Sequence, residues 1–203
     1  MKRIFQIFLF LLITLSTHAQ SDGFSISTIP DAVFARMQGK SYPKGCKVNR
    51  SDLRYLTLLY VDEKGTEHKG EMVCGKLIAD DLISIFRELH RQRYPIHSIQ
   101  LVDEYDGSDE MSMEANNTSC FNYRLTSSGG LSKHARGMAI DINPLWNPCI
   151  HISGKAAGTI EPRNAKREHV INKNDLCYRL FIKHGFRWGG AWKSLKDYQH
   201  FEK

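Results

Sequence analysis

Residues 53–61 read LRYLTLLYV, and this stretch decides the fold class because seven of its nine residues are Leu, Tyr or Val. A short run this rich in β-forming residues predicts a strand that is buried on both faces. The turn sequence DEKG follows at residues 62–65, and residues 68–73 are predicted to return antiparallel as the second arm of a hairpin. A small antiparallel sheet therefore begins here.

Two helices are predicted after the hairpin. One begins near Leu77 and is closed by Pro95, and the other begins at the capping residue Asp175 and stops at Gly185. The first carries an apolar stripe at helical spacing: Ile78, Leu82, Ile85, Phe86 and Leu89.

Short strands are predicted at residues 99–102 and 138–142. Together with the hairpin and the helices they predict an α+β fold, in which a small antiparallel sheet is flanked by helices. Two polar stretches are predicted to lie at the surface. Residues 103–110 form a solvated turn without the alternating oxygen ligands of a calcium loop, and residues 151–174 form an excursion.

The composition is that of a globular protein. Of the 203 residues, 41% are hydrophobic and 25% charged, which excludes collagen-like, low-complexity and wholly disordered chains. The formal net charge of +6 is spread along the chain without a sustained basic run, so we predict no nucleic-acid partner.

The first residues are typical of a secretory signal. Lys2 and Arg3 precede an apolar run at residues 4–15, and Thr17-His18-Ala19, which ends in a small residue, follows as the exit of the signal. The run of about twelve residues is short of the roughly twenty that span a bilayer, so we expect no stable membrane insertion once the signal is removed. The prediction is an exported protein, periplasmic or secreted, with its oligomeric state open.

The predicted domain organisation has three parts: a signal peptide at residues 1–19, a lead-in segment at 20–45 and a single domain at 46–203. An oxidising compartment makes one or two disulfides plausible among the five cysteines, and the sequence selects no pairing. Buried free thiols are an equally good interpretation for any one of them.

Two segments carry the residues suited to chemistry, residues 132–143 and 188–202. They include the imidazoles of His134 and His200 and the carboxylates of Asp141 and Asp197, and a catalytic zinc takes three such ligands and leaves one position for water. We therefore assign His134, Asp141 and His200 as ligands of Zn²⁺ and leave Asp197 to act on the water.

The spacing alone is not specific, since His97 and Glu104 show the same seven-residue separation as His134 and Asp141. The setting is more informative. Asp141 interrupts an apolar strand, and a buried carboxylate there requires a cation or strong donors. Gly137 allows a close turn that would bring His134 towards that strand.

Asp197, three residues before His200, is the predicted general base. Glu202 is the second candidate, although an exposed acid is the simpler interpretation of its position. Trp188 and Trp192 are predicted to fill the core rather than stack on substrate. Cys149 and His151 form another pair of soft ligands, but they lack a third partner and are predicted to be structural.

These residues carry a resemblance to a known family. Residues 132–143, the Asn122-Tyr123-Arg124 ahead of them, and the closing residues 188–190 and 197–202 resemble the zinc D-alanyl-D-alanine carboxypeptidase family. That family includes L-alanyl-D-glutamate endopeptidases of phage endolysins and shares its core fold with lysostaphin-type peptidases and the hedgehog signalling domain. The resemblance covers roughly residues 95–203, with an extension to residue 45, and implies a hedgehog-like core.

The resemblance also implies roles. Zinc is held by His134, Asp141 and His200, and the acid three positions before the last ligand is the base. Some relatives have Glu there, whereas this chain has the shorter Asp197. Arg124 matches the arginine that polarises the substrate carbonyl and stabilises the oxyanion, and both it and Ser132 are expected to contact the substrate.

Three functions are open at this point. The first is an exported zinc peptidase acting next to a D-amino acid in a peptidoglycan stem peptide, either as a carboxypeptidase or as an L-alanyl-D-glutamate endopeptidase. The second is a non-catalytic cell-wall-binding module on the same fold, against which the intact Asp197 and Arg124 argue. The third is an exported nuclease, which no basic patch interleaved with aromatic residues supports.

Overall fold

The structure is a computed structural model that describes residues 22–126, 129–151 and 170–203. The predicted signal peptide and residues 152–169 of the predicted surface excursion lie outside the described residues. The strands in chain order are β1 Ser25–Ser27, β2 Leu53–Val61, β3 Glu67–Gly75, β4 Ser98–Ile99, β5 Asn117–Thr118, β6 Ala139–Asp141, β7 Cys149–His151, β8 Arg187–Trp188, β9 Leu195–Asp197 and β10 His200–Glu202. The helices are α1 Asp31–Met37, α2 Ala79–Arg91, α3 Asp109–Glu114 and α4 Leu176–Lys183.

The predicted hairpin is confirmed. Strands β2 and β3 pair antiparallel along their full lengths, and β1 pairs with the other edge of β2. Leu56 and Leu58 point into the main core, whereas Leu53 belongs to a smaller cluster that α1 covers with Val33 and Met37. Both faces of β2 are therefore covered, and part of the predicted lead-in segment supplies the cover on one side.

Helix α2 confirms the predicted apolar stripe, whose members from Ile78 to Leu89 are buried. The helix ends at Arg91 rather than at Pro95, because Arg93 takes a left-handed conformation with φ of 53°. Leu77 precedes the helix and is 75% exposed. No helix within the described ranges combines the length and the apolar character that crossing a bilayer requires.

Helix α4 begins and ends as predicted. The side chain of Asp175 accepts hydrogen bonds from the backbone N–H groups of Cys177 and Tyr178, which caps the helix. Gly185 follows the helix with φ of 81°. Phe181 of α4 stacks on Phe201 of β10, with ring centroids 4.3 Å apart, and this contact ties the helix to the site described below.

Two of the local predictions are wrong. Only Ser98–Ile99 of the predicted strand at residues 99–102 is in a strand, and a 3₁₀ turn begins at Val102. Residues 103–110 are not simply a solvated turn. The carboxylate of Asp103 is buried and accepts a hydrogen bond from the backbone N–H of Ser41 at 3.0 Å, so another segment covers it.

A second antiparallel sheet runs in the order β6-β10-β8. Ile140 and Phe201 are paired neighbours in it, and both point into the core shared with α2 and α4. Because neighbouring residues of a strand face opposite sides, Asp141 and His200, which also pair, lie side by side on the other face. The α+β prediction with small antiparallel sheets and packed helices is confirmed.

All five cysteines, each of them a described residue, are free thiols, and three are buried. The disulfides considered from the sequence are therefore not formed in this structure. Buried apolar packing is the interpretation that holds for Cys74, Cys120 and Cys177.

Candidate metal centre and active-site cleft

His134 is presented by a tight turn against the end of β3. A 3₁₀ turn at His134–Arg136 leads into Gly137, which has φ of 64°. The carbonyl of Gly137 accepts a hydrogen bond from the backbone N–H of Gly75 at 2.9 Å, and a Cβ at Gly137 would lie 2.3 Å from that nitrogen. Only glycine permits this approach. The sequence predicted a close turn at Gly137, but not its contact with the end of β3.

Three side chains converge where this turn meets the second sheet. His134 Nε2 lies 3.3 Å from Asp141 Oδ2, His200 Nδ1 lies 3.1 Å from Asp141 Oδ1, and the two ring nitrogens are 3.2 Å apart. All three residues are buried. Among the described residues they form a group of His, Asp and His able to hold a metal ion.

The hydrogen bonds of His134 fix which nitrogen faces this point. Its Nδ1 donates to the carbonyl of Cys120 at 2.7 Å. A carbonyl oxygen only accepts, so Nδ1 carries the proton and Nε2 directs its lone pair at His200 and Asp141. A metal-binding imidazole is held in this way in many proteins.

The donor set and its spacing fit zinc. Bonds of about 2.0–2.1 Å to a tetrahedral ion place neighbouring ligand atoms about 3.3 Å apart. The three separations given above, 3.1 to 3.3 Å, are close to such an edge. Two imidazoles and one carboxylate leave one vertex free for water or substrate, as in catalytic zinc sites.

The charges of the group depend on one another. Burial alone would raise the pKa of Asp141, but the charges and hydrogen bonds of His134 and His200 hold it well below its usual range. Burial alone would lower the pKa of His200, but hydrogen bonds to Asp141 and Glu202 raise it to about 10. Asp141 is therefore an anion, and it favours positive charge between the two rings.

Asp197 lies in the same cleft as this group. The Asp197 residue as a whole is half-buried. Its Oδ1 atom, however, is shielded from solvent and has no hydrogen-bond partner among the described residues. Burial, and then the negative charge of Asp141, raise the pKa of Asp197 to about 7. A carboxyl group with this pKa can take up and release a proton near neutral pH, as a general base must.

The cleft has a volume of about 580 Å³, and the predicted substrate residues line it. Arg124 forms an ion pair with Asp109 at 2.7 Å, and its Nε has no hydrogen-bond partner in the described part of the chain. Ser132 also lines the cleft, and its Oγ accepts a hydrogen bond from the backbone N–H of His134 at 3.2 Å. Sequence reasoning missed Asp109, because its partner lies fifteen residues further along the chain.

Trp188 and Trp192 lie in different environments. Trp188 is buried in the core, as predicted. Trp192 lines the cleft, with its ring 5.2 Å from that of His200, so the prediction of core filling is wrong for this residue. Cys149 also lines the cleft, and burial together with the Asp197 carboxylate raises the pKa of its thiol. The side chain of His151 lies outside the described part.

The expectation that Glu202 is an exposed acid is wrong. Its side chain is 13% exposed and contacts Nε2 of His200 at 3.4 Å, on the ring edge away from Asp141.

His97 and Glu104, which have the same sequence spacing as His134 and Asp141, do not contact each other. His97 pairs with Glu63, and Glu104 pairs with Arg36.

Comparison with known proteins gives one family. Residues 126–203 match the model of the D-alanyl-D-alanine carboxypeptidase family. This carboxy-terminal region is similar to that family. The matched region contains His134, Asp141, Asp197 and His200, whereas Arg124 lies just ahead of it. No solved structure matches the chain significantly. Over these residues the match confirms the resemblance drawn from the sequence, and it supports a peptidase of this general type.

Proposed function

We propose that this protein is an exported zinc peptidase that hydrolyses an amide bond next to a D-amino acid in peptidoglycan stem peptides, as a D-alanyl-D-alanine carboxypeptidase does. The proposal includes zinc bound by His134, Asp141 and His200, and a hedgehog-like core around them. The cleft that holds this three-residue group beside Asp197 is the observation that carries the proposal.

Zinc bound at this site would supply a Lewis acid that polarises the scissile carbonyl and acidifies the attacking water. The protein residues then provide the proton transfer. Asp197 accepts the proton of the attacking water, for which its position in the cleft beside the three-residue group suits it. The same carboxyl group can return that proton to the leaving amine, so no covalent nucleophile is needed.

Arg124 is proposed to stabilise the negative charge that develops on the carbonyl oxygen. The ion pair with Asp109 holds its guanidinium at the cleft wall, where a guanidinium suits a developing negative charge. Ser132 is proposed to contact the peptide. Its Oγ already accepts from the backbone of His134, so its hydroxyl proton remains available for donation to the peptide.

The export part of the proposal rests on the first nineteen residues of the sequence, with Lys2 and Arg3 ahead of an apolar run. A periplasmic or secreted location would bring the protein to peptidoglycan. Cell fractionation with sequencing of the mature amino terminus tests this part, and a protein that keeps Lys2 and Arg3 inside the cell contradicts it.

The decisive experiment incubates purified muropeptides with the zinc-loaded mature protein, with and without a chelator, and reads the products by mass spectrometry. Release of the terminal D-Ala shows a carboxypeptidase. A cut between L-Ala and the D-acidic residue shows an endopeptidase and corrects the proposed bond. Binding without cleavage refutes a peptidase and shows a cell-wall-binding module.

One substitution tests the role of Asp197 as the general base. Asp197→Ala should keep one bound zinc and lose about 10²- to 10⁴-fold in turnover, the usual contribution of a general base. Asp80→Ala is the matched control, since Asp80 is exposed on α2, far along the chain from the cleft residues. Turnover at the wild-type rate in Asp197→Ala contradicts the assignment.

A further inference from the structure

The two rings of the proposed metal centre face it through different nitrogens. His134 presents Nε2, whereas His200 presents Nδ1, because Asp141 Oδ1 lies 3.1 Å from Nδ1 of His200. For His200 to bind a metal through Nδ1, its Nε2 must carry the proton. A neutral imidazole in water adopts either tautomer, so the protein has to favour this one.

Glu202 is placed to do so. Residues 200 and 202 of β10 point to the same side of the sheet, and Oε2 of Glu202 lies 3.4 Å from Nε2 of His200. A carboxylate only accepts hydrogen bonds, so this contact favours a proton on Nε2. The side chain of Glu202 is 13% exposed, and its contact with His200 is therefore shielded from water.

The pairing of strands β8 and β10 fixes the position of the Glu202 carboxylate. In the β8–β10 register Glu202 is opposite Arg187, and the guanidinium of Arg187 contacts Oε1 of Glu202 at 2.6 Å. The two carboxylate oxygens thus have different partners, one on the exposed arginine and one on the buried histidine. This leaves Oε2 directed at the ring.

We propose that Glu202 is a positioning residue that orients His200 and strengthens its binding of the metal ion through Nδ1. This inference rests on the proposed zinc site and adds a residue to it. Glu202 does not touch substrate or the reacting water. It acts through His200, in the way that carboxylates paired with metal-binding histidines raise the basicity of the ring.

The test measures zinc affinity by competition with a chromophoric chelator, and the absorption spectrum of the cobalt-substituted protein. Glu202→Gln keeps an acceptor oxygen but removes the charge, and Glu202→Leu removes both. We expect zinc affinity to fall about 10-fold or more in Glu202→Gln and further in Glu202→Leu, within the 10- to 100-fold range of such partners. The cobalt bands should shift in both variants.

Glu67→Gln is the matched control. Glu67 also pairs with a histidine, His90, at 2.7 Å, but this pair joins β3 to α2 outside the cleft. Its zinc affinity should equal that of the wild type. Urea unfolding of the metal-free variants shows whether a loss of affinity is only a loss of folding, and Glu202→Gln, which preserves shape, remains informative if Glu202→Leu does not fold.

The outcomes separate the two proposals. Wild-type protein that binds no zinc refutes the zinc site itself. Wild-type protein that binds zinc, together with Glu202→Gln of equal affinity and an unchanged cobalt spectrum, refutes the role of Glu202 alone. A loss of affinity in Glu202→Gln without a loss of metal-free stability supports it.

Discussion

Replacing Asp197 with Asn should stabilise the metal-free protein. Burial and the nearby charge of Asp141 raise the pKa of Asp197 from 3.8 to about 7. At about 1.4 kcal/mol for each pH unit between the two values, ionising this carboxyl group in the folded state costs at most on the order of 4 kcal/mol. Asparagine has nearly the same shape and carries no charge.

The sign of the pH dependence follows from the raised pKa. Below about pH 3.8 Asp197 is protonated in both the folded and the unfolded protein, so the variant and the wild type should be equally stable. Between pH 3.8 and about 7 the unfolded chain releases a proton that the folded protein retains, and wild-type stability falls as pH rises. Above pH 7 the full difference should favour Asp197→Asn.

The measurement is urea unfolding in the presence of a chelator at pH 3.5, 6 and 8, with linear extrapolation of the unfolding free energy. Asp106→Asn is the control, because Asp106 is an exposed acid in a left-handed conformation that Asn also accepts, and its free energy should change by less than about 0.5 kcal/mol. A variant at Asp197 that is less stable at pH 8, or whose advantage is the same at every pH, would refute the reasoning.

Three further changes test the fold and the cleft. Gly137→Ala should lower the unfolding free energy by more than about 2 kcal/mol, because its Cβ would meet the nitrogen of Gly75 at 2.3 Å in a left-handed turn; an unchanged urea midpoint contradicts this. Arg124→Lys should lower kcat/KM about 10²-fold with zinc affinity unchanged, because lysine lacks the planar fork; steady-state kinetics at the wild-type level would exclude the role. Asp175→Ala should cost about 1 kcal/mol by removing the cap of α4, and a thermal midpoint equal to that of the wild type would show that the cap is dispensable.

Local patterns predicted much of the fold. The β-rich run at Leu53–Val61 with its turn, the apolar stripe of α2 and the cap at Asp175 each depend on residues close in sequence. The buried position of Asp141 also followed from its apolar neighbours. Those features are confirmed because short-range sterics and one-sided burial determine them.

Other features depend on contacts between distant segments. Asp103 was expected in solvent, but Ser41 covers it, and Glu202 was expected to be exposed, but Arg187 and His200 enclose its carboxylate. The pairing of Asp141 with His200 joins strands of three residues that are 59 positions apart, and no periodic pattern sets such a register. The sequence suggested which residues would meet, but not through which atoms.

The matched region depends on the part of the chain ahead of it. Ile140 and Phe201, which lie behind the two paired ligand positions, pack in one core with Leu82 and Phe86 of α2. This packing behind the ligand positions needs side chains from α2, although many combinations of apolar side chains supply the required volume. A fragment that begins at residue 126 lacks α2 and would leave this apolar surface exposed to water, so we expect it to be insoluble.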